Sequence, residues 1–162
     1  MVRTVYLHLT SKCNSKCSYC YAEYSFEEIS VKEWKFIIDK LSKNPPLKIS
    51  ITGGEPLLYN GIFNIASYLK IKFPKCIIRL YTNGYFVQQF EVKKYLIFDK
   101  IFISCDGGDE YTDSLRGKAS SSHIRRALKH LSGYDLDIVA GVTVLPEAQI
   151  HEKKIISDRV VL

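Results

Sequence analysis

The stretch Thr4-Val-Tyr-Leu-His-Leu-Thr-Ser-Lys-Cys13-Asn-Ser-Lys-Cys17-Ser-Tyr-Cys20 joins an apolar run to three cysteines packed into eight residues. The run Thr4–Thr10 (TVYLHLT) alternates with period two and is rich in β-branched and aromatic residues, so it predicts a strand. The cysteines fall on the loop directly after it.

The same order of strand, polar loop and helix recurs along the chain. A helix is predicted over Ser30–Lys43, where Ser30 and Glu33 form a capping-box signature and Trp34, Ile37, Ile38 and Leu41 supply an apolar stripe. Pro45 and Pro46 end it. Strand two is Lys48–Thr52, running into Gly53-Gly54-Glu55-Pro56, and a helix is expected next over Gly61–Lys72. Strand three is Cys76–Thr82, closed by an Asn83–Gly84 turn, with a short helix over Gln89–Ile97. Strand four is Lys100–Cys105, then a loop Asp106–Lys118 and a helix over Ser121–Leu131. Strand five is Leu136–Leu145. A polar helix over Glu147–Ile155 and the start of a sixth strand at Arg159–Leu162 are expected to complete the series.

Strands separated by helices pair in parallel through right-handed crossovers, so the fold class is α/β. An open doubly wound sheet and a partial, open βα barrel both satisfy this order. Placement of the motifs favours the TIM-barrel-like alternative, because each glycine-rich or polar signal lies just past the carboxyl end of a strand. Period-two alternation puts Ser104 and Asp106 on one face of strand four, with Ile101, Ile103 and Cys105 on the other. By the same parity His8, Thr10, Thr52 and Thr143 are expected to face the lumen.

The 162 residues suffice for one domain with a sizeable core, read as a single unit over 1–162 that runs out near its sixth strand. Hydrophobic residues make up 46% and charged residues 25%, an ordinary globular balance. No apolar stretch is long enough to span a bilayer, and the start lacks a basic-then-apolar leader, so membrane insertion is not expected and a cytoplasmic location is. The net charge of +6 is spread along the chain rather than gathered into a stripe with interleaved aromatics, which argues against nucleic acid as a partner.

Of the five cysteines, Cys76 and Cys105 lie in apolar strand-like runs and read as core. The other three, Cys13, Cys17 and Cys20, have C-x3-C-x2-C spacing, close enough to converge on one soft metal centre. A zinc site would need a fourth ligand, for which His8 is nearby but not at finger spacing. A redox pair of Cys17 and Cys20 would leave Cys13 unexplained. A cubane cluster usually takes four cysteines, so three on one loop would leave an iron open.

Leu9-Thr10-x-x-Cys13-Asn14-x-x-Cys17-x-Tyr19-Cys20-Tyr21 is followed in order by Gly53-Gly54-Glu55-Pro56, Thr82-Asn83-Gly84, and Ser104-Cys-Asp106-Gly107 with Asp113-x-x-Arg116-Gly117. On these motifs the chain resembles the radical S-adenosylmethionine superfamily. The likeness runs from about residue 4 to 145. The strand-four signature is most similar to the branch holding anaerobic sulfatase-maturating enzymes and peptide-modifying SPASM proteins, with molybdenum-cofactor GTP cyclases more distant.

The resemblance implies a partial βα barrel, one [4Fe–4S] cluster on Cys13, Cys17 and Cys20, and S-adenosylmethionine on the remaining iron. It implies that Tyr19 lies against the adenine and that Gly53, Gly54, Glu55 and Pro56 receive the methionine amine. It also implies a cofactor role for Thr82 at the end of strand three, a ribose or carboxylate contact for Ser104, a carboxylate pairing for Arg116, and an adenine contact near Gly141. An external one-electron donor would reduce the cluster, and a 5′-deoxyadenosyl radical would take hydrogen from a substrate in the barrel mouth. No catalytic side chain beyond these is assigned.

The chain departs from the SPASM branch in having no cysteine after Cys105, so a single cluster is expected. A peptide leads as substrate, with a nucleotide or small metabolite behind it. The open edge of the sheet predicts a cover: the Ile155–Leu162 segment, a partner chain or a bound peptide. The rival class is a non-catalytic metal- or cluster-binding scaffold, which would have no need of Gly53–Pro56 and Ser104.

Overall fold

A computed structural model describes residues 3–22 and 27–143. Five strands alternate with helices: β1 (Thr4–His8), α1 (Val31–Lys40), β2 (Lys48–Thr52), α2 (Ile62–Lys72), β3 (Ile77–Thr82), β4 (Lys100–Ser104), α3 (Asp109–Arg116), α4 (Ser120–Leu131) and β5 (Ile138–Gly141). All neighbouring strands are parallel, in the order β1-β2-β3-β4-β5. Among the described residues the sheet is open, with β1 and β5 at its two edges. The predicted helix over Glu147–Ile155 and strand at Arg159–Leu162 lie outside the described residues, as does the proposed cover at Ile155–Leu162.

Alternation divides the sheet into two unlike faces. Leu7, Ile49, Ile51, Ile78, Leu80, Ile101 and Ile103 are buried and share one core with Ile38, Ile65, Leu69, Ile124 and Leu131 of the helices. The opposite face carries Tyr6, His8, Ser50, Thr52, Arg79, Tyr81, Lys100, Phe102 and Ser104. Tyr6 is 59% exposed there, and the rings of Tyr81 and Phe102 stack at 4.4 Å between centroids. One face is therefore the packed interior, and the other is the lumen side of an arc.

Helix α1 begins as its sequence dictates. Ser30 Oγ accepts from the Glu33 amide and Glu33 Oε2 accepts from the Ser30 amide, at 3.3 and 2.7 Å. The short helix expected over Gln89–Ile97 is instead two 3-10 segments, Val87–Gln89 and Val92–Ile97, broken where Phe90 turns extended. Tyr95 anchors the second to the first by donating its hydroxyl to the Val87 carbonyl at 2.9 Å.

The expected loop Asp106–Lys118 contains α3, which periodicity does not reveal. The buried residues of α3 are Thr112 and Arg116, so its inward stripe is polar. Its charges still suit a helix: Asp109 and Glu110 occupy the first turn and Arg116 the last, complementing the helix dipole.

Candidate functional site: a cysteine loop clamped to successive strand ends

The cysteine loop leaves β1 and crosses the carboxyl ends of the next strands. Each of those ends holds it. From the segment after β2, the Gly54 amide donates to the Thr10 carbonyl at 2.7 Å and the Glu55 amide to the Lys12 carbonyl at 2.8 Å. From the end of β3, Asn83 Nδ2 donates to Asn14 Oδ1 at 2.8 Å and to Ser15 Oγ at 3.2 Å. After β4, Asp106 accepts from the Tyr19 hydroxyl at 2.7 Å. From α3, the Leu115 carbonyl accepts from the Ser18 amide at 2.9 Å.

The two glycines after β2 are demanded by this crossing. A Cβ on Gly54 would lie 2.3 Å from the Lys12 carbonyl oxygen, and one on Gly53 would lie 2.4 Å from that of Thr10. Gly53 also has φ +143, in the region that favours glycine. These contacts are with backbone, so no side-chain rotation relieves them. Thr10 is fully buried beneath the same crossing rather than open to the lumen, and its hydroxyl donates to Glu28.

Glu55 and Thr82, which the resemblance places at the cofactor, bond to each other. Thr82 Oγ1 donates to Glu55 Oε1 at 2.8 Å, and the Leu57 and Asn83 amides donate to Oε1 and Oε2 at 3.1 and 2.7 Å. The reason is parity: Thr82 shares the helix-side face of β3 with Ile78 and Leu80. Glu55 is completely buried, and burial pushes its carboxyl up to about 7. The pair ties β2 to β3 and sets Asn83 under the cysteine loop. Pro56 starts a buried 3-10 turn, Pro56–Leu58, immediately behind it.

Asp106 is the second hub, and sequence alone assigns it no role beyond its motif. It is fully buried and faces Arg116, with Arg116 Nε 2.6 Å from Oδ2 and Nη2 donating to Oδ1 at 2.9 Å. The Thr143 amide also donates to Oδ1 at 3.0 Å. Arg116 lies over the Tyr19 ring at 5.4 Å. Burial works against the charge on Arg116, but Asp106 outweighs it and the guanidinium pKa is raised. Burial and the Asp106 carboxylate together raise the Tyr19 phenol. Arg116, implied as a carboxylate partner for the cofactor, is thus already paired within the chain.

Ser104 and Gly141 end adjacent strands as register partners and are both half-buried. The structure therefore brings Cys13, Cys17, Cys20, Tyr19, Gly53–Pro56, Thr82 and Arg116 to one rim, with Ser104 and Gly141 on its β4–β5 side. Asn83 and Asp106 join them as fixing groups. A cleft of about 330 Å³ opens beside the loop, lined among others by Asn14, Lys16, Asn83, Arg116 and His123.

No cysteine is in a disulfide. Cys13 and Cys17 are half-buried, and burial raises both thiols. After burial, the Ser15 amide lowers Cys13 while Glu55, then Cys17 and Cys20, raise it, and Arg116 lowers Cys17. Among the described residues no three His, Cys, Asp or Glu side chains converge on a single-ion site. A cubane asks for a different arrangement, with thiolates set around a volume and one on each iron. Three thiols on one clamped loop fit that donor set. Among the described residues no helix is long and apolar enough to cross a membrane.

Known proteins share this chain's pattern. The sporulation killing factor maturation protein SkfB of Bacillus subtilis is 29% identical over 144 residues, covering 85% of this chain and 35% of that protein. The antilisterial bacteriocin subtilosin biosynthesis protein AlbA of the same organism is 30% identical, covering 89% and 34%. The chain thus spans about a third of the length of these curated relatives. Among solved structures, anSMEcpe with bound AdoMet and Cp18Cys peptide superposes with a TM-score of 0.79 at 20% identity, over 97% of this chain and 47% of that one. Streptococcus suis SuiB bound to precursor peptide SuiA gives 0.76 at 19% identity, over 94% and 36%. These likenesses show the fold, and the open parallel βα arrangement expected from sequence is the one they share. The Radical SAM superfamily matches residues 7–158, and the chain belongs to that superfamily.

Proposed function

We propose that Cys13, Cys17 and Cys20 hold one [4Fe–4S] cluster, that S-adenosylmethionine binds beside it at the strand ends, and that the whole is the radical-generating part of an enzyme acting on a peptide. The observation that carries this reading is the clamp. Every strand end after β1 that lies beneath the cysteine loop commits a polar group to holding it. A scaffold that merely stored a metal would not need its loop fixed to Asn83, Gly54 and Asp106 together.

When bound, the two cofactors supply one-electron chemistry for hydrogen abstraction, reduced from outside by an electron donor. The chain supplies position. Half-burial raises the Cys13 and Cys17 thiols, and metal binding displaces their protons. Gly53 and Gly54 keep backbone, not side chain, at the rim. Asp106 locks Arg116 and Tyr19 as a wall whose charges are already balanced, so that wall orients a ligand without demanding a counter-ion. Ser104 offers a hydroxyl and Gly141 leaves space opposite it, where an added Cβ would meet nothing closer than 3.7 Å.

The peptide assignment is supported by what the relatives are named for: maturation of a killing factor, biosynthesis of a bacteriocin, and a solved structure bound to a precursor peptide. A probable GTP 3',8-cyclase from Methanococcus maripaludis, 36% identical over 110 residues, supports a nucleotide as the alternative. A cytoplasmic setting, where thiols stay reduced, suits the loop. The test is anaerobic incubation of reconstituted protein with S-adenosylmethionine and dithionite. Formation of 5′-deoxyadenosine, abolished by Cys17→Ala, is the expected result, and its absence from cluster-loaded protein sinks the proposal.

A further inference from the structure

The lumen face holds a second group of polar side chains below the rim. Ser50 and Arg79 are register partners on β2 and β3, and Arg79 is the register partner of Lys100 on β4. Ser50 is fully buried, yet its Oγ has no hydrogen-bond partner, and the buried Nε of Arg79 has none either. An unmade hydrogen bond at a buried donor is costly, so two on neighbouring positions of one face call for an acceptor. Lys100 does not compete for that acceptor, because it is paired with Asp137 at 2.6 Å.

The charge of this face points the same way. Its strand positions carry Lys48, Arg79 and Lys100, the last paired with Asp137 at the foot of β5, and no acidic residue among β1 to β4 shares it. Asp99, at the base of β4, is turned away, accepting from Lys70 and from the Ile78 amide. A guanidinium Nε–H and a serine O–H on register-partner positions can serve one oxyanion, and guanidinium matches a carboxylate bidentately.

We propose that Ser50 and Arg79 form a subsite for an oxyanion of the substrate, with Tyr81 and Phe102 walling the space above it. Arg79 lies three residues before the end of β3, about 10 Å below the rim at roughly 3.3 Å per residue. A substrate therefore enters acid end first, and the carbon that reacts stays near the cysteine loop. This rests on taking the lumen as the substrate side, and for a peptide it selects an acidic side chain or a terminal carboxylate. A phosphate has the same chemistry and would mark the nucleotide alternative.

The test uses the full chain at low salt, with N-acetylglutamate and inorganic phosphate as probes and N-acetylglutamine as the neutral control, read by calorimetry. Binding of one anion, weakened about tenfold by Arg79→Gln and less by Arg79→Lys, is expected. Ser50→Ala should weaken it by about threefold. Preference for one probe identifies the source of the oxyanion. If neither anion binds, or if Arg79→Lys and Arg79→Gln bind as the parent does, the subsite is refuted. Because this reading needs no cluster, it is separate from the test for 5′-deoxyadenosine, and either proposal can fail alone.

Discussion

Asn83 Nδ2 donates to Asn14 Oδ1 at 2.8 Å, which joins the residue after β3 to the residue after the first cysteine. The same Asn83 offers its main-chain amide to Glu55 at 2.7 Å and accepts from the Tyr85 amide at 3.0 Å through Oδ1. One residue, through its main-chain amide and its side chain, therefore converts the geometry of two strand ends into the position of the cysteine loop. An Asn83→Ala variant removes the two bonds to Asn14 and Ser15 and the acceptor of the Tyr85 amide. It should cost about 1–2 kcal/mol in the unfolding of cluster-free protein and speed iron loss from loaded protein several-fold. Release of iron to a chelator, measured against the parent, checks this.

Gly54 contributes through the backbone it allows to approach. Gly54→Ala should already destabilise the cluster-free protein by about 1–3 kcal/mol, since its Cβ meets the Lys12 carbonyl at 2.3 Å. Urea titration of the variant reads this. A Gly54→Ala protein as stable as its parent would remove the close crossing as a constraint on the loop.

Asp106→Leu leaves Arg116, 9% exposed, without its partner. Removing one side of a buried pair costs about 3–5 kcal/mol, so this variant should be among the most destabilised. Replacing both, as Asp106→Leu with Arg116→Met, should recover much of that loss. A double-mutant cycle by urea unfolding measures the coupling.

Glu55 gives the cluster-free protein a defined pH dependence. Its carboxyl sits at about 7 when folded, against an ordinary 4.5. The folded chain binds a proton that the unfolded chain has released, so folding takes one up between those values. The stability this contributes is fully present below the unfolded value and is lost as pH rises through about 7. The parent's unfolding midpoint should therefore be lower at pH 8 than at pH 5. For Glu55→Gln, which also puts an amide N–H against a donor, the protein should be weaker throughout and this part of the slope should vanish.

The strands were legible as apolar runs, those of β2, β3 and β4 closed by Gly53, Asn83 and Asp106, and period two is a property of the run itself. The cysteine spacing was legible as a candidate shared centre because three thiols fall within eight residues of one loop. Helix α3 was hidden by its polar inner stripe, Thr112 and Arg116, which periodicity reads as loop. The bond between Glu55 and Thr82 was hidden for a different reason. Sequence carries the order of motifs, but it does not show that Thr82 lies on the face of β3 from which its hydroxyl reaches Glu55. Asn83 carried a signal in its motif, but it also fits an ordinary turn dipeptide, and only the crossing of the loop above it separates the two.

A clamped loop that holds a cluster differs from one that holds a single ion in what it retains. The direct measurement is iron, sulfide and zinc per chain after anaerobic reconstitution, on the parent and on Cys13→Ala, Cys17→Ala and Cys20→Ala variants. About four irons and four sulfides per chain, lost in each variant and unchanged in Cys76→Ala, is the result a cluster on these three cysteines predicts. Stoichiometric zinc without sulfide, or iron retained when any of the three cysteines is removed, would contradict it.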